Sequence, residues 1–201
     1  MDSKREAAFM AGSAVFLVLV GGLLLAGKLS RDYEAEKGRA YAQAALWPDA
    51  ARLQAQLMLE RYGPPERLSP QSMEWDERWP WKSVSVSAES PLSPLTQSVA
   101  CHIPEGRSAE LARFPHGLMV DEERGELAAR SDREALNFLS LNLGMDILAG
   151  RRTPEEASRH FYRAVDLYYA GKAVPEAEKL LFDVPPPREQ ASARIWYETK
   201  L

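Results

Sequence analysis

The side chains able to do chemistry are few in this chain. It has three histidines, His102, His116 and His160, and one cysteine, Cys101. No two histidines stand four residues apart, the spacing that places two metal ligands on one helix face, and one cysteine offers no thiolate cluster. We therefore predict no metal and no cofactor, and we interpret the histidines as structural or surface residues.

Cys101 would need solvent exposure and a nearby base to act as a nucleophile. It alternates with Val99 and Ile103 on the apolar face of a predicted strand, while His102 points to the opposite face. A buried cysteine behaves as a small hydrophobe. We predict that Cys101 is a core residue.

The carboxylates Glu74, Asp76 and Glu77 surround Trp75 and are of the type that serves as general acid or base. Nothing in the sequence places them in a cleft, so we assign them no catalytic role. The chain also has no Walker loop, no G-x-G-x-x-G after a strand and no G-x-S-x-G elbow. The sequence therefore predicts no catalytic residue.

A candidate polar site consists of Asn137, Asn142 and Asp146, which fall on a predicted helix that is apolar on two sides. Buried polar groups need partners because an unpaired one costs about 1–3 kcal/mol. We expect these side chains to bond the backbone of neighbouring elements and fix the helix. The alternative is a pocket near Asn142 and Asp146, which would make the protein a small-ligand binder or an enzyme of unknown reaction.

Three of the five tryptophans, Trp75, Trp79 and Trp81, flank a predicted hairpin turn that contains Pro80. Aromatic residues with a polar edge are enriched in interface hot spots, and they also close the ends of small cores. We favour burial and keep the three as candidate partner-binding residues. The interaction hypothesis depends on whether Trp79 and Trp81 face solvent.

Alternating patterns predict the sheet that positions these residues. "QSMEW" pairs with "KSVSVSA" through the turn "DERWPW", "TQSVACHI" alternates again, and "GLMVDEERGELAAR" forms a hairpin with Gly125 in its turn. This totals about five short strands in one antiparallel sheet.

Helical patterns precede the sheet. Residues 31–46 predict a juxtamembrane helix, and a second helix starts after Pro48. Its apolar face would be formed by Ala50, Leu53 and Leu57, and Gly63 would end it.

Helical patterns also come after the sheet. Capping boxes "SDRE" and "TPEE" predict helices over about 132–149 and 154–170, and a short helix covers 174–181. Because the helix at 132–149 is apolar on opposite sides, we expect it to be buried between two layers.

The predicted fold class is α+β. A single N-terminal transmembrane helix precedes a compact domain in which an antiparallel sheet of about five strands is packed by C-terminal helices. The predicted segments are an N-terminal tail (1–6), a transmembrane anchor (7–28), a juxtamembrane helix (29–47), a globular domain (48–182) and an extended C-terminal tail (183–201).

The anchor rests on residues 7–27, which are 21 consecutive residues without a charge. At about 1.5 Å per residue, such a helix spans a hydrocarbon core of about 30 Å. A cleaved signal peptide, the alternative, has a shorter apolar core and a small-x-small cleavage site, and "LLLAGK" is a poor one. We predict an uncleaved single-pass membrane anchor.

Two signals on orientation disagree. Lys and Arg are more numerous after the span than before it, which places the domain in the cytoplasm under the positive-inside rule. A short basic N-terminus before a long apolar run is typical of a signal anchor, which translocates the domain on its C-terminal side. We expect a periplasmic domain, with the cytoplasmic orientation as the alternative.

Several blocks resemble a family of uncharacterised bacterial envelope proteins. The motifs are a Y-G-P-P turn at 62–65, a W…PWK hairpin ending at Lys82, and an E-x-x-N-F-L-x-L-N-L helix at 134–143. The resemblance covers about residues 50–182 and implies that the blocks form one domain, without an activity or catalytic residues. As an analogy of fold alone, the helix, G-x-P and hairpin are also similar to outer-membrane assembly lipoproteins.

We therefore expect a membrane-anchored, non-enzymatic protein-interaction domain, such as an accessory subunit or assembly factor of a membrane complex. It would bind the membrane through residues 7–27 and a protein partner in the membrane or envelope. The net charge of −4 gives no basic footprint for nucleic acid, which we exclude as a partner.

Overall fold

The computed structural model describes residues 28, 30–104 and 106–186 of the chain. The predicted anchor lies, except for residue 28, outside the described residues, as does the predicted tail beyond residue 186. No helix in the described ranges is both long and apolar enough to cross a membrane.

Helices flank a central sheet in the described ranges. The helices are α1 (30–44), α2 (Asp49–Tyr62), α3 (Ser108–Leu111), α4 (Glu134–Leu148), α5 (Pro154–Tyr169) and α6 (Pro175–Glu178). The strands are β1 (Arg67–Leu68), β2 (Ser72–Asp76), β3 (Ser83–Ser87), β4 (Leu95–Ala100), β5 (Leu118–Asp121) and β6 (Glu126–Ser131). The α+β architecture with an antiparallel sheet and C-terminal helices is confirmed.

The six strands form one antiparallel sheet in the order β1-β2-β3-β4-β6-β5. β2 and β3 pair as predicted, with Met73 opposite Val86 and Trp75 opposite Val84, and all four side chains are buried. The hairpin of β5 and β6 is also confirmed, with Gly125 in its turn at a φ of 61°. The strand beyond the expected five is β1, whose two residues are too few to give an alternating pattern.

α4 is buried between two layers, as its two apolar sides predict. It packs against β4, β5 and β6 on one side and against α5 and α6 on the other. Leu139, Leu141, Leu143 and Ile147 are all buried. Gly144 lets α4 approach the sheet, because a Cβ there would lie 2.9 Å from Leu118 Cδ2.

α2 buries a different face from the predicted one. Leu53 and Leu57 are 55% and 43% exposed, and the buried face contains Ala51, Ala55 and Met58. Both stripes have helical spacing, so periodicity cannot choose between them. The stripe with two alanines is the buried one because small side chains allow close packing against the sheet at β3.

One predicted capping box is wrong and the other is confirmed. α4 begins at Glu134 with Arg133 as its N-cap, because Ser131 is the last residue of β6. At α5, Thr153 Oγ1 accepts from the Glu156 backbone N–H at 3.2 Å, and Glu156 Oε2 accepts from the Thr153 N–H at 2.8 Å.

The buried core extends past the predicted domain bounds of 48–182. Ala40, Ala44 and Trp47 belong to it on the N-terminal side, and Val184 on the C-terminal side. The Trp47 indole N–H donates to Pro70 O at 2.8 Å. Part of the segment predicted as a juxtamembrane helix is therefore packed into the domain.

Candidate functional site

The three candidate tryptophans lie in two different environments. Trp75 and Trp81 are buried, whereas Trp79 is 62% exposed. The Trp75 indole N–H donates to Gly63 O at 3.0 Å, and the Trp81 ring stacks on Phe138 with centroids 5.3 Å apart. Trp75 and Trp81 are therefore core residues. Of the three tryptophans, only Trp79 is available to a partner.

Trp79 is held at the tip of the β2–β3 hairpin. Its indole N–H lies 3.3 Å from Val184 O, and the turn is closed by hydrogen bonds from Glu77 N to Lys82 O and from Trp81 N to Arg78 O. The exposed ring is therefore tied to the segment that leaves the domain after α6.

A groove of about 620 Å³ lies between α1 and the turn from α2 into the sheet. We call it the α1 groove. Tyr33 and Leu68 in its lining are exposed, and Arg78, next to Trp79, pairs with Glu66. Its lining residues are Tyr33, Glu36, Arg39, Tyr62, Pro64, Pro65, Glu66, Leu68 and Arg78.

Asn137 belongs to a buried polar network between α4 and the sheet. Its Nδ2 donates to Gln97 Oε1 at 3.0 Å, and its Oδ1 accepts from Ser131 Oγ at 2.7 Å. Gln97 Nε2 donates at 2.8 Å to Glu134 Oε1, which also accepts from Arg61 at 2.6 Å. Asn137 and Gln97 are fully buried, so this network joins α2, β4 and α4.

Asn142 is occupied by backbone groups. Its Nδ2 donates to Glu176 O and Lys179 O, both at 2.8 Å, and its Oδ1 accepts from the Leu181 N–H at 2.7 Å. With only 5% of the residue exposed, it fastens α6 and the segment after it to α4. Its side-chain amide is therefore bonded within the domain and is not directed at a ligand.

Asp146 differs from both asparagines because its partners are charged. Oδ1 accepts from Arg151 Nε and Oδ2 from Arg152 Nε, each at 2.8 Å. Burial opposes ionisation, but the hydrogen bonds from Arg152 and Arg151 together hold the pKa of Asp146 below its ordinary value. The carboxylate is therefore an anion that organises two arginines.

Asp146 lies in the wall of a second groove, which has a volume of about 870 Å³. We call it the arginine groove. Its four arginines outnumber its two carboxylates, which leaves an excess of two positive charges in a chain whose net charge is −4. The lining residues are Asp146, Arg151, Arg152, Glu156, Arg159, His160 and Arg163.

The three histidines lie in three different environments. His116 stacks on Phe161 with centroids 4.1 Å apart, its Nε2 is buried without a hydrogen-bond partner, and burial lowers its pKa. His160 Nε2 lies 3.2 Å from Glu176 Oε1 in the arginine groove, and His102 is exposed after β4. Within the described ranges, no group of three His, Cys, Asp or Glu side chains is arranged to hold a metal ion.

Cys101 lies one residue beyond the end of β4 and not within the strand as predicted. It is partly buried. Its Sγ is 3.6 Å from Met145 Sδ, and burial raises the pKa of the thiol to about 11. Such a thiol is protonated at neutral pH and is a poor nucleophile.

The carboxylates beside Trp75 are on the sheet surface. Arg67 pairs with Glu74 at 2.7 Å and with Asp76 at 2.5 Å, and its hydrogen bonds lower the pKa of Asp76. Glu77 is in the turn, with a φ of 50°. The arrangement is an ion-pair cluster on the surface of the sheet.

Sequence reasoning missed Gln97 and the four arginines of the groove. Gln97 alternates with Leu95 and Val99, so its position in an apolar series was a signal that it is buried. The arginines carried a weaker signal: an Arg-Arg pair just after a helix, then Arg159 and Arg163 at four-residue spacing on the next.

No protein-family model, curated protein or solved structure matches this chain.

Proposed function

We propose that this chain is a single-pass protein of the bacterial inner membrane whose α+β domain binds a protein partner. In this proposal it is a non-enzymatic accessory subunit or assembly factor of a membrane complex, anchored through residues 7–27 with the domain in the periplasm. The observation that carries the proposal is the α1 groove, with exposed Trp79 on the adjacent hairpin.

The α1 groove is close to the predicted membrane surface. Tyr33 in its wall lies five residues after Lys28, the end of the predicted anchor. Five residues reach at most about 18 Å even when fully extended. A partner embedded in the same membrane is therefore within reach of this groove.

The composition of the α1 groove suits a protein interface. Exposed Tyr33 and Leu68 supply aromatic and apolar contact, and the ion pair of Arg78 with Glu66 lies among them. Aromatic residues and arginine are enriched at interfaces relative to the rest of a protein surface. Pro64 and Pro65 restrict the backbone of one wall, which lowers the entropy lost on binding.

The test is to extract the full chain from native membranes in mild detergent and measure the size of its complex. Leu68→Asp and Trp79→Ala alter the groove and the hairpin tip. Leu92→Asp is the matched control, since Leu92 is 88% exposed on the turn between β3 and β4. We expect wild type and Leu92→Asp to elute in one complex of defined composition. Both other variants should lose it, with affinity at least about tenfold weaker.

The proposal fails if the wild-type chain elutes without a partner, or if Leu92→Asp loses the complex as fully as Leu68→Asp. Thermal unfolding of each variant shows whether the domain remains folded. A compartment-sensitive reporter fused after Leu201 separately tests orientation, and activity on the cytoplasmic side would refute the periplasmic assignment.

The alternative function, a small-ligand binder with a pocket near Asn142 and Asp146, is supported at one of its two residues. Asn142 is saturated by backbone groups, but Asp146 lies in the wall of the arginine groove. Because arginines outnumber carboxylates in that groove, the ligand that it suits is an anion.

A further inference from the structure

We propose that the arginine groove, where the end of α4 meets α5, binds the phosphoryl group of a small phosphorylated molecule. This inference does not depend on a protein partner at the α1 groove. It rests on four properties of the groove: its free donors, its net positive charge, the engagement of its carboxylates and its location.

The donors are pre-arranged. Asp146 holds Arg151 and Arg152 through their Nε atoms, one on each carboxylate oxygen. The terminal amino groups of both arginines have no hydrogen bond to any described residue, so they remain free for a ligand. Guanidinium groups bind phosphate oxygens in pairs, which makes such groups well suited to a phosphoryl ligand.

Two further arginines add positive charge to the groove. Arg159 and Arg163 are four residues apart on α5 and so lie on one face. Neither has an ion pair within the part of the chain that the structure describes, although Glu156 is close enough to Arg159 and Arg152 for their charges to help lower its pKa. Like charges at this spacing destabilise a helix, and a bound dianion would relieve the repulsion.

The carboxylates of the groove are already engaged. Glu156 accepts from the Thr153 N–H in the cap of α5, and Asp146 is bonded to its two arginines. His160 lies against Glu176 at 3.2 Å. Glu156 offsets part of the arginine charge, and the net excess of two positive charges in the lining favours an external anion.

The size and position of the groove favour a free small molecule over a lipid headgroup. Its volume of about 870 Å³ falls in the range of about 300–1,000 Å³ that is usual for small-ligand sites. The other end of α4, at Glu134, bonds Arg61 beside the α1 groove. Asp146 lies twelve residues beyond Glu134 on α4, about 18 Å along the helix axis. The arginine groove is therefore separated from the α1 groove, which is the groove near the predicted membrane surface.

The experiment is calorimetric titration of the full chain in neutral detergent with inorganic pyrophosphate at constant ionic strength. We expect saturable binding at one site. Arg159→Gln combined with Arg163→Gln should weaken it at least about tenfold, as loss of charge-assisted hydrogen bonds requires. The control removes two other arginines, Arg52→Gln with Arg124→Gln, and should bind like wild type. Thermal unfolding of the groove variant without ligand should give a cooperative transition, which shows that it is folded.

Asp146→Asn separates positioning from net charge. If charge alone set affinity, loss of a carboxylate would tighten pyrophosphate binding. If Asp146 positions Arg151 and Arg152, the variant should bind more weakly although the groove is more positive. Tighter binding would overturn the positioning role.

Reconstitution distinguishes the sources of the phosphoryl group. In phosphatidylcholine nanodiscs with and without phosphatidylglycerol, equal pyrophosphate affinity supports a free ligand, whereas competition by phosphatidylglycerol supports a headgroup. No pyrophosphate binding at millimolar concentration would overturn the proposal. Equal binding by wild type and the double groove variant would also overturn it.

Discussion

Asn137→Leu should be the most damaging single substitution in the polar interior. Asn137 is fully buried, and the change removes its hydrogen bonds to Gln97, to Ser131 and to Leu95 O. It also leaves Gln97 Oε1 buried without a partner. Orphaning that oxygen costs about 1–3 kcal/mol and the three lost bonds about 0.5–1.5 kcal/mol each, so we expect a loss of about 3–7 kcal/mol in the free energy of unfolding.

The sharper test is the coupling between Asn137 and Gln97. Gln97→Met removes the side chain that Asn137→Leu leaves unpaired, so the double variant should lose less stability than the two single losses combined. We expect a coupling of about 1–3 kcal/mol, as for residues in one hydrogen-bond network. The assay is urea unfolding of the full chain in mild detergent, monitored by tryptophan fluorescence, since Trp47, Trp75 and Trp81 are buried.

The network interpretation would be refuted by either of two results. One is a cost below about 1 kcal/mol for Asn137→Leu, which would mean that its hydrogen bonds contribute little. The other is additivity of the two substitutions within about 0.5 kcal/mol, the behaviour of independent sites.

Three further substitutions test local features. Burial lowers the pKa of His116 from its ordinary value of 6.5, so the unfolded chain takes up this proton first as pH falls. Stability present above about pH 6.5 should therefore decrease as pH falls through the folded pKa, and the loss should be smaller in His116→Phe when unfolding is measured at about pH 5 and about pH 7.5. Arg107→Met removes the donor to Ile147 O at the end of α4 and should cost about 1–2 kcal/mol in thermal unfolding. Gly117→Ala should cost about 2–3 kcal/mol, because Gly117 has a φ of 73° and a Cβ there would overlap Arg130 O.

The spacing of apolar residues and the turn-forming residues correctly predicted the elements for which the sequence allows only one arrangement. Alternation around Val84 and Val86 identified a strand, and Gly125 identified the turn of a hairpin. Both signals depend only on residues that are close together in the chain, so they can be identified from the sequence alone. The capping box at Thr153 was predictable for the same reason.

Prediction failed where the choice depended on neighbours distant in the chain. α2 has two stripes of helical spacing, and packing against the sheet selects the alanine stripe over Leu53 and Leu57. Ser131 and Glu134 have capping-box spacing, but the strand continues through Ser131, and its ladder prevents the residue from capping a helix. Trp79 and Trp81 are two residues apart in one turn, yet one is exposed and the other buried.

The candidate site was hard to predict because the polar residues of α4 serve different neighbours. Asn137 bonds Gln97 on the sheet side, Ser140 donates to His116 O at 2.7 Å, and Asn142 holds the segment after α6. Each is saturated by uncharged groups inside the domain and therefore specifies packing.

Asp146 stands at the solvent end of this series and bonds two charged side chains from the loop before α5. A core does not need that arrangement, because two arginines could reach water without a partly buried carboxylate to hold them. Holding them by Nε leaves their terminal donors directed elsewhere, toward a groove whose other two arginines have no ion pair among the described residues. In the proposed site, the same helix changes from a structural role to a binding role along its length, at the point where its partners change from neutral to charged. This change from neutral to charged partners is the reason for placing a ligand at the end of α4 and not at its centre. It depends on the folded position of the loop before α5, which packs back on α4.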